Sequence, residues 1–261
     1  MAQRVSEFAR DSLKVRILPD RAALGKAAAR AVAPRIRALQ EERKLLNLVF
    51  ASAPSQDQTL EALLLQPGID WARINAFHMD EYIGLPADAP QSFGQYIRTR
   101  FFSKLGFREV FYIDGNAPDA NAECERYARL LREHPTDIAL LGIGENGHLA
   151  FNDPGIADFE DPLLVKVNQN LDGTCRKQQV NDGHFRTLTE VPASAITLTI
   201  PALFSARSIF VLVPGRSKRE IVRRTLEGPV DVACPATILR RHPDACLYLD
   251  RDSAGLLADG S

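Results

Sequence analysis

A glycine-rich stretch of the chain, residues 140–155, carries a histidine and an aspartate at a spacing suited to proton transfer. The stretch reads LLGIGENGHLAFNDPG and begins inside the apolar segment 137–143, which predicts a buried strand. Glycines at the C-terminal end of a strand let the backbone approach a ligand closely, and open α/β sheets bind their ligands at that end. We therefore interpret the stretch as a loop that presents His148 and Asp153 to a small molecule. A glycine-punctuated loop with a surface histidine would have the same pattern.

A second acidic side chain, Asp80, follows another predicted strand, residues 73–79. Because the carboxyl ends of neighbouring parallel strands meet at one crevice, we expect Asp80 and His148 to converge. A carboxylate and an imidazole are the minimum needed to move a proton on a small molecule. Asp153 could accept a hydrogen bond from the His148 ring and fix its tautomer. The alternatives are a turn or cap role for Asp80 and an Asx turn before Pro154 for Asp153.

Polar and basic residues that follow other strands predict an anion site. The segment 215–218 (GRSK) opens a predicted helix, where backbone N–H groups and the helix dipole favour an anion. The turn 51–56 offers hydroxyl groups, and the later polar segment offers a guanidinium that could close over an anionic ligand. Serines in a turn and a solvated basic helix start are the alternative interpretations. The candidate anion ligands are Ser52, Ser55, Gln56, Arg176 and Lys218.

Strand and helix patterns alternate through most of the chain and predict the scaffold of these side chains. The pattern favours an α/β fold, a three-layer α/β/α sandwich around a mostly parallel sheet, in a single domain spanning residues 1–261. Residues before 13 are expected to form a short helix or a loose arm. Residues 158–183 are expected to be a long polar excursion of the kind that often forms a lid, with a short β segment at 164–167. Predicted strands span residues 13–18, 46–51, 73–79, 110–113, 137–143, 195–200, 208–213 and 246–249, and predicted helices span 20–42, 57–65, 92–105, 119–133, 217–226 and 237–241.

Composition excludes several classes of function. The 261 residues carry a formal net charge of -1 without a long basic run, which argues against nucleic acid or a membrane surface as the main partner. No apolar stretch approaches membrane-spanning length, and the N-terminus lacks a signal core, so we expect a cytoplasmic protein. The four cysteines are scattered without C-x-x-C spacing, which indicates reduced thiols and neither a zinc site nor a disulfide framework. Nucleotide-binding and serine-hydrolase motifs are absent from the sequence.

Four co-linear segments resemble the glucosamine-6-phosphate deaminase/isomerase family, whose superfamily includes the 6-phosphogluconolactonases. They are FHMDEYIGLP (77–86), DGNAPDANAEC (114–124), GIGENGHLAFNDP (142–154) and VPGRSK (213–218). The resemblance covers nearly the whole chain and implies a modified Rossmann-like sandwich. It also implies conversion of a 2-amino aldose 6-phosphate into a ketose 6-phosphate and ammonia, without a metal or another cofactor.

Carried over by position, the resemblance assigns roles to several residues. Asp80 would move a proton between C2 and C1, and His148 would take a proton from the anomeric hydroxyl during ring opening. Asp153 would replace the glutamate that supports the histidine in the family, and Lys218 would contact the phosphate. Arg176 is the best match for the family's arginine that follows this motif. Further substrate-contacting candidates are Glu81, Gly144 and Gly147.

The chain departs from the family pattern at two places in the candidate site. Asn146 stands where the family has an acid, and an amide cannot take up or release a proton near neutral pH. Glu145 could compensate if the loop is rearranged. The glycine- and threonine-rich phosphate loop of the family is replaced by residues 51–56, in which Pro54 lacks an N–H group.

Three hypotheses follow from these patterns. The first is an isomerising deaminase of a phosphorylated amino sugar, which the aspartate, the histidine and the basic residues favour. The second is a hydrolase of a sugar-phosphate lactone in which His148 activates water. The third is a non-catalytic sugar-phosphate sensor, favoured by Asn146 and the altered phosphate loop. A homo-oligomer without amino-sugar activation is the expected assembly.

Overall fold

Buried apolar strands lie side by side in the computed structural model, which describes residues 5–86 and 88–257. Among these residues, no helix is long and apolar enough to cross a membrane. In chain order the elements are β1 (Ser6–Arg10), β2 (Leu13–Leu18), α1 (Arg21–Glu42), β3 (Leu46–Phe50), α2 (Asp57–Leu64), β4 (Ile74–His78), β5 (Asp80–Tyr82), α3 (Phe93–Arg100), β6 (Glu109–Phe111), α4 (Ala120–Glu133), β7 (Ile138–Leu141), β8 (Val165–Asn168), α5 (Gly173–Asn181), β9 (Ala195–Leu198), α6 (Ile200–Phe204), β10 (Ser208–Val213), α7 (Arg219–Glu227) and β11 (Ala245–Asp250).

The main sheet has eight strands in the order β1-β2-β11-β10-β7-β3-β4-β6. All neighbouring pairs are parallel except the β1–β2 hairpin at the edge. The central strands β3, β4, β7 and β10 are buried along their whole length, as strands covered on both faces must be. The predicted α/β fold with a mostly parallel sheet between helices is therefore confirmed.

Alternating side chains of each central strand feed two separate apolar layers. Leu48 and Phe50 of β3 pack with the helices α1, α2 and α3, whereas Val49 faces the opposite layer with α4, α6 and α7. Asp20 caps α1 by accepting a hydrogen bond from the Ala23 N–H at 2.8 Å, as its position predicted. These layers hold the carboxyl ends of the central strands at one edge of the molecule.

A second, three-stranded antiparallel sheet, β5-β9-β8, corrects two predicted boundaries. The predicted strand 73–79 ends at His78, and Asp80 instead begins β5, whose partner across the ladder is Thr197 of β9. The predicted strand 195–200 likewise stops at Leu198, because Thr199 caps the short helix α6. Asp80 is thus fixed by backbone pairing and does not lie in a free loop.

Two segments expected to be irregular contain regular elements. Residues 6–10, which were expected to belong to a short helix or a loose arm, form the edge strand β1, whose exposure on both faces leaves no alternating apolar pattern to read. The expected excursion 158–183 contains β8, close to its predicted place, and the unpredicted helix α5. Asp172 caps α5 by accepting from Thr174 N–H and Cys175 N–H. The buried side of α5 includes Gln178 and Gln179, so its sequence lacks the apolar stripe that predicts a helix.

Two predicted helices are shorter or tighter in the structure. The expected helix 92–105 begins after the Ser92 cap and ends at Arg100, followed by a separate 3-10 turn at Phe102–Lys104. The expected helix 237–241 belongs to a 3-10 segment, Pro235–Arg241. Neither difference moves a candidate site residue.

Candidate active site

A cavity opens at the carboxyl ends of β3, β4, β7 and β10, where open α/β sheets bind their ligands. Each of these strands is followed by a loop or turn that lines it. The helix α5 and the residues that follow it cover one side. The lining residues include Ser52 and Ser55 after β3, Asp80 after β4, Gly144 and His148 after β7, Lys218 after β10, and Gln178, Asp182 and His184 from the α5 segment.

Asp80 presents a carboxyl group to this cavity and is itself 7% exposed. Burial raises its pKa well above the ordinary range of an aspartate, and the nearby charge of Glu81 adds to the rise. A carboxyl group with a raised pKa binds a proton more readily than an exposed aspartate does. That property suits a group that must accept a proton from carbon and hand it on.

His148 lines the same cavity and is held by two neighbours through its Nδ1 atom. Nδ1 lies 2.7 Å from Asn146 Oδ1 and 3.3 Å from Asp153 Oδ1. Hydrogen bonding to His148 and Asn146 lowers the pKa of the Asp153 carboxyl despite its burial, so Asp153 carries a negative charge. Asp153 therefore lies beside the His148 ring, while the hydrogen bond of Nδ1 goes to Asn146 Oδ1.

The orientation of the Asn146 amide fixes the tautomer of His148. Its Nδ2 donates to Asp153 Oδ1 at 3.0 Å and to Asp172 Oδ1 at 3.1 Å. The amide oxygen must then face His148, and because an oxygen of this kind only accepts, Nδ1 carries the ring proton. The other ring nitrogen, Nε2, keeps a free lone pair. The uncharged Asn146 therefore places the proton of a neutral His148 ring on Nδ1 and leaves Nε2 as the nitrogen that can act as a base.

Gly144 provides the space in which the His148 ring lies. A Cβ atom at this position would stand 2.0 Å from His148 Cε1 and 2.2 Å from Nε2. The Gly144 N–H also donates to the His148 carbonyl at 3.0 Å and closes the turn. Gly147 has a φ of 93° and packs against Cys234, so it shapes the turn without lining the cavity.

Lys218 supplies a cation to the cavity. Its side chain is 7% exposed, and among the described residues its Nζ has no hydrogen-bond partner. Burial lowers the pKa of its ammonium group, while Asp182 and Glu145 act in the opposite direction through their charges. The hydroxyl of Ser52 is also buried without a partner within the described part of the chain. An unpaired ammonium and a free hydroxyl are suited to an anionic group of a ligand.

Some residues predicted for the site lie elsewhere. Arg176 does not reach the cavity, because its guanidinium donates to the carbonyls of Leu188 and Val191 at 2.9 and 2.8 Å. Glu81 is also outside, since its carboxylate accepts the N–H groups of Phe93 and Gly94 at the start of α3.

Two further candidates flank the cavity without lining it. Gln56 is fully buried and donates to Ser55 Oγ at 2.9 Å, so it orients that serine. Glu145 offers only its backbone to the α5 segment, where its N–H donates to Gln178 Oε1 at 2.9 Å. The suggestion that Glu145 compensates for Asn146 has no support from this geometry.

The sequence analysis missed the cavity residues that come from α5 and from the start of α1. His184 packs against Tyr96 with ring centroids 5.3 Å apart and lines the cavity. Arg21 is anchored by Gln58 and the Pro54 carbonyl. The D-G-T cap signal at residues 172–174 was the one local pattern that could have revealed α5.

Asn146→Asp is expected to destabilise the protein by about 1–3 kcal/mol at neutral pH, because it places a third carboxylate beside Asp153 and Asp172. Repulsion among the three carboxylates would raise the pKa of at least one of them above its value in the unfolded chain. The lost stability should therefore grow as pH rises through the unfolded pKa and vanish in acid. Thermal unfolding at pH 3 and pH 8, below and above the ordinary aspartate pKa of about 3.9, measures this, with Asn121→Asp on the exposed start of α4 as the matched control. A deficit that does not change with pH would contradict this repulsion.

Comparisons with known proteins agree with this geometry. The profile of the family described as glucosamine-6-phosphate isomerases/6-phosphogluconolactonase matches residues 19–247. The glucosamine-6-phosphate deaminase of Listeria innocua is 40% identical over 216 residues, which are 83% of this chain and 88% of the relative. A solved monomeric glucosamine-6-phosphate deaminase is 33% identical with a TM-score of 0.83, over 93% of this chain and 99% of that chain. The 6-phosphogluconolactonase of Trypanosoma brucei, 21% identical with a TM-score of 0.78 over 97% and 100% of the two chains, shares the fold. The chain therefore belongs to the glucosamine-6-phosphate isomerase/6-phosphogluconolactonase family.

Proposed function

We propose that the protein is an isomerising deaminase that converts glucosamine 6-phosphate into fructose 6-phosphate and ammonia. The observation that carries the proposal is the convergence of three groups on one cavity: the Asp80 carboxyl with its raised pKa, the His148 ring, and the Lys218 ammonium, which has no hydrogen-bond partner among the described residues. The relatives named glucosamine-6-phosphate deaminase support this reaction over lactone hydrolysis.

Ring opening is the first step and uses His148. Its Nε2 takes the proton of the anomeric hydroxyl, the bond between C1 and the ring oxygen breaks, and the proton is returned to that oxygen. The Nδ1 hydrogen bond to Asn146 keeps Nε2 unprotonated before the step. Asp153 then stabilises the transient imidazolium across the 3.3 Å contact.

Proton transfer between carbons is the second step and uses Asp80. The carboxylate removes the proton from C2 of the open aldose while the aldehyde oxygen takes up a proton from the substrate's ammonium group, which gives an enolamine. Asp80 then delivers its proton to C1. The resulting C2 iminium adds water and releases ammonia, leaving the ketose. A base whose pKa lies above the usual aspartate range holds the proton between these two transfers.

Lys218→Met is expected to raise KM for the sugar phosphate about 10- to 100-fold, because a charge-assisted hydrogen bond to the phosphate is lost. The same change should raise the melting temperature of the ligand-free protein, since a buried ammonium without a partner is removed. Steady-state kinetics and thermal unfolding measure the two effects. Lys177→Met, on the exposed side of α5, is the control and should change neither. An unchanged KM would place the phosphate elsewhere.

The assay that tests the proposed function measures ammonia and fructose 6-phosphate released from glucosamine 6-phosphate. Equimolar release is expected. Thermal stabilisation by sugar phosphates without any turnover would instead support a sensor. The homo-oligomeric state stays a prediction, which sedimentation of the purified chain would test.

A further inference from the structure

Three side chains of different chemistry lie together behind the cavity wall: His148, Asp153 and Cys175. One ligand atom from each lies within 4.8 Å of the other two, and all three residues are buried. Asp153 Oδ1 lies 3.3 Å from His148 Nδ1. The cluster thus joins an imidazole, a carboxylate and a thiol.

The backbone around this cluster is tied together by the Asp172 cap. The Asp172 N–H donates to Asp153 Oδ2 at 3.1 Å, and its carboxylate accepts from Asn146 Nδ2 at 3.1 Å and from the Cys175 N–H at 3.3 Å. The start of α5, which carries Cys175, is therefore fixed against the loop that carries His148 and Asp153. The three ligand atoms are held in place before any ion arrives.

The donor set and the separation of one pair of its atoms match a tetrahedral site for a thiophilic cation. Nitrogen, oxygen and thiolate sulfur are the ligands that Zn²⁺ takes in proteins. Two ligand atoms bound at about 2.0 Å in a tetrahedron are about 3.3 Å apart, and this is the separation of His148 Nδ1 and Asp153 Oδ1. His148 is the member of the cluster that lines the cavity.

We propose that His148, Asp153 and Cys175 form an inhibitory binding site for a thiophilic divalent cation such as Zn²⁺. On binding, the Cys175 thiol releases its proton to solvent and the thiolate ligates the ion. The ion also replaces the Nδ1 proton of His148, which passes to Nε2. Because Nε2 then carries hydrogen, the ring can no longer accept a proton from a substrate. The ion takes no part in the proposed reaction, but the site shares His148 and Asp153 with it, so the inhibitory role rests on the proposed function.

Cobalt(II), a spectroscopic substitute for zinc, tests binding without relying on turnover. The whole wild-type protein should show a sulfur-to-cobalt charge-transfer absorption band that saturates at one ion per chain and disappears when zinc is added. Cys175→Ala and Cys175→Ser should lack the band. Cys246→Ala, which removes a half-buried thiol on β11, should retain it. No band in the wild type, or a band that persists in both Cys175 variants, would overturn the proposal.

Inhibition gives the second measurement, provided that the protein turns over a substrate. Zinc should inhibit the wild type at a concentration at least about 10-fold lower than it inhibits Cys175→Ser, and a chelator should restore activity. Circular dichroism of both Cys175 variants checks that they fold. Equal zinc inhibition of the wild type and Cys175→Ser would contradict the inhibitory role of the site. The cobalt absorption band tests ion binding whether or not the protein turns over this substrate.

Discussion

Asp80→Asn is expected to lower kcat for glucosamine 6-phosphate by about 1,000-fold while KM changes little, since general acid–base groups contribute about 100- to 10,000-fold. The amide has nearly the same shape as the carboxyl group, but it cannot accept the C2 proton. Asp80 is also held in β5 by the backbone ladder to Thr197, so the substitution leaves the cavity in place. Steady-state kinetics of the purified variant, with circular dichroism as a folding check, measures the loss.

Glu81→Gln is the matched control for this substitution. Glu81 lies next to Asp80 in sequence, but its carboxylate accepts N–H groups at the start of α3 and stays outside the cavity. Turnover should persist, and the acid limb of the pH profile should move to lower pH, because a charge that raises the pKa of Asp80 is removed. Activity falls in acid because the base becomes protonated. A kcat for Asp80→Asn within tenfold of the wild type would rule out Asp80 as the base.

Gly144→Ala is expected to lower kcat/KM by about 100-fold or more, close to the loss of the histidine as a base. The added methyl group would stand 2.0 Å from His148 Cε1, so the imidazole ring must swing away from its position. The fold should remain intact, because the collision involves a side chain at the cavity surface. Kinetics and thermal unfolding together separate lost activity from lost stability.

Gly173→Ala is the control for the effect of an added methyl group. This glycine begins α5, and a Cβ atom there would have open space around it, so activity should stay within about twofold of the wild type. If Gly144→Ala were equally active, the ring position of His148 would not matter for turnover.

The site residues at the carboxyl ends of the strands could be predicted because buried parallel strands appear in the sequence as continuous apolar segments. The runs leading to Asp80 and Gly142 located the cavity edge, and the pairing of β4, β3 and β7 brings those ends together. Apart from β1, which was not predicted as a strand, the other strands of the main sheet also lie close to their predicted bounds. The single-domain and cytoplasmic assignments stay predictions.

The α5 side of the site could not be read from the sequence, because its buried face is polar. Gln178, Gln179 and Asp182 interrupt any apolar periodicity, although they line the cavity. Arg176 was expected at the site from its charge and from the family resemblance. In the structure it points to backbone carbonyls, and His184, after the last turn of α5, lines the cavity.

The effect of Asn146 on the His148 ring also depends on residues that are distant in the sequence. The sequence showed an amide in place of an acid, which argued against deaminase chemistry. The two carboxylates that orient this amide, Asp153 and Asp172, come from different segments. Their positions turn the amide oxygen toward His148 and leave a usable base at Nε2. The tautomer of His148 therefore depends on Asn146, Asp153 and Asp172 together. Because these residues come together only in the folded chain, the sequence motif alone does not predict the tautomer.

Side-by-side turnover of glucosamine 6-phosphate and 6-phosphogluconolactone by the wild type and Asp80→Asn tests the central claim most directly. We expect the wild type to release equimolar ammonia and fructose 6-phosphate from the amino sugar, and Asp80→Asn to lose nearly all of this activity. Hydrolysis of the lactone at a rate unaffected by Asp80→Asn, without ammonia from the amino sugar, would contradict the proposed function.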